Sequence, residues 1–197
     1  MIRRIAVSES RLFPKALTYS DIRSYISTVV FVSLAVSVPW VFHQFHLAGP
    51  TFLPMHIFVL LAGLLFGWRA GLTVGLLSPF VSYAVSGMPV LTILPQTAIE
   101  LLVYGLVAGM LREKLNLRAI WSLVGAMIAG RMALLLVVLI IYGAGGQVYS
   151  PLGLEASPLA ALWSVIKQGW PGILIQLVSL PLILELLERT GVAESRR

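Results

Sequence analysis

Three ionisable side chains stand within long apolar runs of the sequence: Glu100, Arg131 and Lys167. An ionised group at the centre of a bilayer costs about 2.5–3.5 kcal/mol on insertion scales, so such residues normally face a bundle interior or a wet cavity and have a partner. One acid and two bases leave a net charge of +1. That charge favours a substrate that carries a carboxylate or a phosphate.

Two interpretations of these charges stay open from the sequence. In the structural one, Glu100 and Arg131 form an ion pair that locks two helices together. In the functional one, the three groups line a ligand pocket toward the outer face of the membrane. Both can hold at once, and Lys167 can instead extend its long side chain to the membrane surface.

Polar and aromatic side chains at the same level of the chain favour the pocket. Besides the three charged groups, the candidates for substrate binding are His56, Gln96, Tyr104, Gln168 and Trp170. Aromatic rings near a membrane surface are also typical of belt residues. No metal site is predicted, because His43, His46 and His56 span a proline-containing loop with no Asp or Cys nearby.

Motifs for catalysis and ATP binding are absent from the sequence. It has no Gly-x-Ser-x-Gly, no His-Glu-x-x-His and no Gly-rich phosphate loop ending in Lys-Ser/Thr. Without cysteine, the chain has no disulfide, thiolate ligand or cysteine nucleophile. We therefore expect a protein that is not an enzyme and needs no cofactor, and any energy for active transport must come from a partner.

Composition predicts the fold class. At 58% hydrophobic and 11% charged residues, with a mean hydropathy of +0.94, the chain is typical of a membrane protein. Backbone polar groups must be satisfied inside a bilayer, which leaves helices or a closed barrel. The apolar runs are continuous and not alternating. An all-α integral membrane protein is therefore predicted.

The apolar runs divide the chain into six predicted spans within one domain, residues 1–197. A bilayer core of about 30 Å needs about 20 helical residues. After a polar tail, 1–20, the spans cover about 22–45, 55–67, 69–86, 96–111, 119–142 and 163–187. The stretch 143–158 is rich in Gly, Ser and Pro and is predicted to be a loop.

The distribution of positive charge predicts the orientation in the membrane. Of the 14 Lys and Arg residues, all but Arg131 and Lys167 lie on one predicted side of the membrane. They fall in or directly beside the two tails, the turn at Arg69 and the turn 112–118. With six spans these segments share one side, and the positive-inside rule makes that side cytoplasmic. We expect a multi-pass plasma-membrane protein with both termini in the cytoplasm.

Small residues recur in the first three spans. Glycines occupy positions 63, 67, 71 and 75, and the first span carries Ser33, Ala35 and Ser37. Small residues four apart share one helix face and let another helix approach closely. Two interpretations stay open: packing within this chain, or a docking surface for another membrane protein.

The segment Pro50 to Gly87 carries a family resemblance. It reads PTFLPMHIFVLLAGLLFGWRAGLTVGLLSPFVSYAVSG, an apolar proline-containing helix, an Ala-Gly-x-x-x-Gly run, a short turn and a Gly-rich helix. With six spans, about 200 residues and no soluble domain, the chain resembles the substrate-binding S components of energy-coupling factor (ECF) vitamin transporters. Riboflavin-type members often carry an acidic segment where this chain has Pro54, Met55 and His56.

The resemblance implies a mechanism and partners. An S component binds a vitamin from outside between the first loop and helices four to six. It then associates with a transmembrane T component and two cytoplasmic ATPases, and releases the substrate inside. The resemblance assigns the docking surface to Ser33, Ala35 and Ser37 and to the glycines at 63, 67, 71 and 75.

Two other classes of membrane protein are alternatives to this interpretation. A structural membrane protein of the cell-shape (MreD-like) type has a comparable size and span number. It should lack a polar outer pocket, so Glu100, Arg131 and Lys167 argue against it. A stand-alone small-solute carrier would usually show inverted repeats, and none is evident in the sequence.

Overall fold

Six long helices make up most of the part of the chain that the structure describes. The computed structural model describes residues 22–44 and 49–195, so the predicted tail 1–20 and His46 lie outside the described residues. In chain order the elements are α1 Ile22–Gln44, α2 Gly49–Phe52, α3 Pro54–Phe66, α4 Trp68–Ser86, α5 Leu94–Glu113, α6 Ala119–Gly143, β1 Val148–Ser150, β2 Gly153–Glu155 and α7 Pro158–Ser195.

The helices confirm an all-α membrane protein. By length and composition, four of the described helices can cross a membrane: Ile22–Phe42, Leu94–Glu113, Ala119–Gly143 and Pro158–Arg189. Large apolar side chains such as Val29, Leu136 and Val178 are exposed along them. Such faces are stable in lipid and not in water. Helix α3 is shorter, with 13 residues, about 20 Å of rise.

The glycines of α3 and α4 pack inside the bundle. A Cβ on Gly63 would lie 2.6 Å from the carbonyl oxygen of Gly105 on α5, and one on Gly71 or Gly75 would overlap the α5 backbone. Gly67 forms the turn between α3 and α4, where its φ of 86° suits glycine. The structure therefore shows that Gly63, Gly71 and Gly75 pack against α5 within the chain. A role of these glycines in docking stays a prediction.

The small residues of α1 do not share one environment. Ala35 is buried against the main core cluster, whereas Ser33 and Ser37 are exposed. The Ser37 hydroxyl donates a 2.6 Å hydrogen bond to the carbonyl of Ser33, which satisfies it within the helix. Of the predicted docking residues on α1, the two serines are those that lie on an open face.

Polar contacts gather the charged turns at one end of the bundle. Arg112 at the end of α5 donates a 2.6 Å hydrogen bond to Glu188 of α7. The neighbouring Glu113 accepts a 3.2 Å bond from the backbone N–H of Trp68, the first residue of α4. The α3–α4 turn, the α5–α6 turn and the C-terminal half of α7 therefore lie together.

The loop predicted over 143–158 contains a β-hairpin. Strands β1 and β2 pair antiparallel, with Val148 opposite Glu155 and Ser150 opposite Gly153. Val148 is buried against a second apolar cluster on α6 and α7. The segment 143–158 also has turns at 144–145 and at 151–152, the second of which joins the two strands.

Helix α7 is longer than the predicted span 163–187. It runs for 38 residues through Pro171 and Pro181, about 57 Å of rise against a bilayer core of about 30 Å. Proline removes one helical hydrogen bond, yet membrane helices tolerate it where neighbouring groups compensate. The helix begins at Pro158, five residues before the predicted span.

Candidate functional site

A cavity of about 330 Å³ lies at the bundle end opposite the charged turns. Its walls come from α1, the start of α3, the end of α4, the 88–97 segment, α6, the β-hairpin and α7. Most of the lining is apolar, including Pro39, Leu134 and Val165. A pocket of this size with a few polar groups is typical of small-molecule sites.

An ion pair lies in the wall of this cavity. Arg131 Nη1 of α6 donates a 2.6 Å hydrogen bond to Glu100 Oε1 of α5. The two side chains are only 11% and 4% exposed. The structure confirms the contact expected in the structural interpretation. Both residues also line the cavity, so two of the three groups of the functional interpretation lie together there.

His56 and Tyr104 surround the free side of Glu100. His56 Nε2 lies 3.9 Å from Glu100 Oε2, beyond hydrogen-bond distance, and the imidazole packs edge-on against the Tyr104 ring at 5.2 Å. The Tyr104 phenol interacts with Glu100 and is 1% exposed. A Cβ on Gly130 would lie 3.0 Å from this ring, so glycine beside Arg131 makes room for it.

Two glutamines fix other parts of the wall. Gln96 Nε2 donates a 2.8 Å hydrogen bond to the Tyr149 carbonyl, which ties α5 to the hairpin. Gln176 donates to the carbonyl of Leu53, which has a positive φ of 50° where the chain enters α3. Gln168 lines the cavity from α7. Among the described residues, Gln168 Oε1 has no hydrogen-bond partner.

The polar groups of this cavity are under-satisfied. Among the described residues that line the cavity, five buried side-chain atoms have no hydrogen-bond partner: His56 Nδ1 and Nε2, Arg131 Nε and Nη2, and Gln168 Oε1. More than about 90% of buried polar groups in proteins have one, and leaving one unpaired costs about 1–3 kcal/mol. Because these atoms lie on three residues of one cavity, the cavity is the candidate site for a polar ligand group.

Three predicted substrate-binding residues lie outside the cavity lining: the buried Tyr104, which packs behind Glu100 and His56, and the exposed Lys167 and Trp170. Lys167 and Trp170 are exposed on α7, on the same face as Trp163. A lysine between tryptophans on an outward helix face is typical of the membrane interface. Lys167 therefore adds no positive charge to the described lining, whereas its neighbour Gln168 does line the cavity.

Several lining residues were not predicted from the sequence. They include Ser82 and Ser86 of α4, Thr92 and Thr97, and Ser150 of the hairpin. The hairpin had a signal, since Val148 and Tyr149 favour strand and Pro151 and Gly153 favour a turn. Within residues 22–44 and 49–195, no group of three or more side chains is placed to hold a metal ion.

Hydrogen bonds to Glu155 hold the hairpin in place. The Ser150 hydroxyl donates a 2.6 Å bond to Glu155 Oε1, and the same oxygen of Ser150 accepts one from the backbone N–H of Leu152. The Ser150 bond, helped by one from Ser164 on α7, lowers the pKa of Glu155 below its usual 4.5. The ionised carboxylate therefore stabilises this wall of the cavity.

Comparison with known proteins assigns the chain to a family. Residues 24–184 match the family described as ECF transporter, substrate-specific component. No curated protein and no solved structure matches the chain. Proteins of this family are substrate-binding subunits of transporters and not enzymes. Since the match covers most of the 197 residues, the chain belongs to the substrate-specific components of ECF transporters.

Proposed function

We propose that this chain captures a vitamin-like small molecule from outside the cell in the cavity beside Glu100 and Arg131. The observation that carries the proposal is the cluster of unpaired polar atoms on His56, Arg131 and Gln168. A bound ligand would supply their partners and cover the apolar wall. The rest of the chain then serves to hold this cavity open on one side of the membrane.

The proposed orientation makes the cavity face outward. Among the described residues, the bundle end opposite the cavity carries Arg69, Arg112, Lys114, Arg118 and Arg189. The positive-inside rule assigns such an end to the cytoplasm. Helices α3 and α4 add two crossings to those of the four longer helices. An even number of crossings puts both termini of this plasma-membrane protein on the same side, the cytoplasm.

Delivery of the ligand needs partners. The family implies a transmembrane T component and ATPases, and we propose that two cytoplasmic ATPases supply the energy because the sequence has no ATP-binding motif. The open face of α1 with Ser33 and Ser37 is the proposed docking surface. The buried glycines of α3 and α4 support the fold beneath it.

A thermal-shift panel tests the proposal. The purified protein in detergent is heated with and without individual vitamins, since a ligand at 100 times its Kd stabilises the folded state by about 2.7 kcal/mol. At least one compound should raise the unfolding temperature. Failure of the whole panel would contradict the proposed vitamin-like substrate.

Two adjacent variants on α7 make that test specific. Gln168→Ala removes a polar group from the lining and should weaken binding about tenfold, because a hydrogen bond contributes about 1 kcal/mol or more. Lys167→Ala changes an exposed side chain outside the lining and should bind like the wild type. Equal affinity of both variants would place the ligand elsewhere.

A further inference from the structure

The charges of the cavity cancel. Among the described residues that line it, Glu100 and Arg131 carry the formal charges, and they bind each other at 2.6 Å. Lys167 is outside the lining. Counted from Glu100 and Arg131, the described wall has no net charge. An anionic ligand would therefore lose its hydration without gaining a net counter-charge, which is costly at low dielectric.

The unpaired atoms include both donors and acceptors. Arg131 Nε and Nη2 are donors, and together they form one edge of the guanidinium plane. Gln168 Oε1 is an acceptor. The imidazole of His56, when neutral, has one nitrogen of each kind. A carboxylate has acceptors alone, so it can serve Arg131 but brings no hydrogen for Gln168 or for the acceptor nitrogen of His56.

We propose, on the basis of the proposed function, that the ligand enters with an uncharged amide-type group at its polar end. A carboxamide, lactam or ureide has a carbonyl that accepts from Arg131 and an N–H that donates to Gln168. The remainder of the ligand is apolar or aromatic and lies against Leu134 and Val165. Glu100 acts as a positioning residue that holds Arg131 and neutralises it. The substrate class is therefore a neutral heterocyclic amide and not an organic acid.

Matched pairs of ligands that differ in charge but hardly in shape test the inference. The probes are nicotinamide and nicotinate, biotinamide and biotin, pterin-6-carboxamide and pterin-6-carboxylate, and 6-methyluracil and orotate. Their affinities for the purified wild-type protein are measured by calorimetry and thermal shift. Within every pair that binds, the neutral member should bind at least about tenfold more tightly, a difference of about 1.4 kcal/mol.

Charge variants of the wall test the reason for this preference. Glu100→Gln leaves the described wall with the charge of Arg131 alone and should shift the ratio of affinities at least about tenfold toward the carboxylate. The double variant Glu100→Gln with Arg131→Gln has no net charge and should keep the wild-type preference, although both ligands bind more weakly. Size-exclusion profiles identify any variant that does not fold.

The outcomes separate this inference from the proposed function. Tighter binding of a carboxylate to the wild type overturns the inference and leaves the proposed function intact. Binding of vitamins that carry no uncharged carboxamide, lactam or ureide group, and of no compound from the four pairs, also overturns the inference. Failure of every compound, vitamins included, overturns both. If Glu100→Gln does not fold, the wild-type comparison alone decides.

Discussion

Arg131 and Glu100 join α6 to α5 through a 2.6 Å hydrogen bond inside a bundle whose cavity they also line. The pair has a structural and a functional role, and the two can be separated. Removing one partner leaves a buried charge uncompensated, which typically costs about 3–5 kcal/mol. Removing both charges leaves two neutral groups at the same place.

We therefore expect Arg131→Ala to lower thermal stability far more than the double variant Glu100→Gln with Arg131→Gln. The unfolding temperature of the purified protein in detergent, measured without ligand, provides the comparison. The account is contradicted if the double variant is as unstable as Arg131→Ala, because the loss would then come from packing around the two side chains and not from an uncompensated charge.

The sequence predicted the charged centre of the site well, for a physical reason. Ionisable groups in a bilayer need partners, so Glu100 and Arg131 could be assigned to the interior from their apolar flanks alone. The same argument did not show that Lys167 lies outside the cavity. Successive helix residues differ by about 100° around the axis, so Lys167 faces outward while Gln168 faces the cavity.

The amphipathic pattern that would resolve such faces is weak in this chain. Lipid and protein interior are both apolar, and therefore the outward and inward faces of α6 and α7 have similar side chains. Ser82 and Ser86 on α4 could not be assigned to the cavity for the same reason. The hairpin was not predicted, because each strand has only three residues and an alternating pattern cannot be recognised over so short a stretch.

Close helix packing at Gly71 gives a second prediction. Any side chain there would overlap the backbone of Gly105. We expect Gly71→Leu to cost more than about 3 kcal/mol, above the usual range for overpacking, and to abolish the monodisperse peak in size-exclusion chromatography. Gly143→Leu is the control, since no atom lies within 4 Å of its Cβ position. A folded Gly71→Leu protein that fails only in assembly with a T component would restore the docking interpretation.

The hairpin should respond to acid through Glu155. Its folded-state pKa lies below the usual 4.5 because the ionised form accepts the Ser150 hydrogen bond. The resulting stability is present above the unfolded-state pKa and is lost as pH falls through the lower folded-state pKa. Amide exchange in residues 148–155 should therefore show falling protection from about pH 6 to about pH 3. Glu155→Gln should remove that dependence, and an unchanged profile would contradict the assignment to this carboxylate.

Two exposed leucines at opposite ends of the bundle test the orientation. Leu115 lies in the α5–α6 turn and Leu152 in the hairpin turn, and both are more than half exposed. Because the sequence has no cysteine, a single cysteine at either position is the sole target for a thiol reagent. In intact cells an impermeant maleimide should label Leu152→Cys but not Leu115→Cys, which should react after permeabilisation. The reverse pattern would invert the proposed topology.

The most direct test of the cavity as the substrate site is native mass spectrometry with two neighbouring α4 variants. Ser86→Phe places a ring into the cavity, whereas Val85→Phe places the same ring on an exposed face. The purified proteins are incubated with the vitamin panel, and bound mass is read after desalting. The account predicts one small molecule per chain on the wild type and on Val85→Phe, and none on Ser86→Phe. Equal ligand occupancy of folded Ser86→Phe would contradict it.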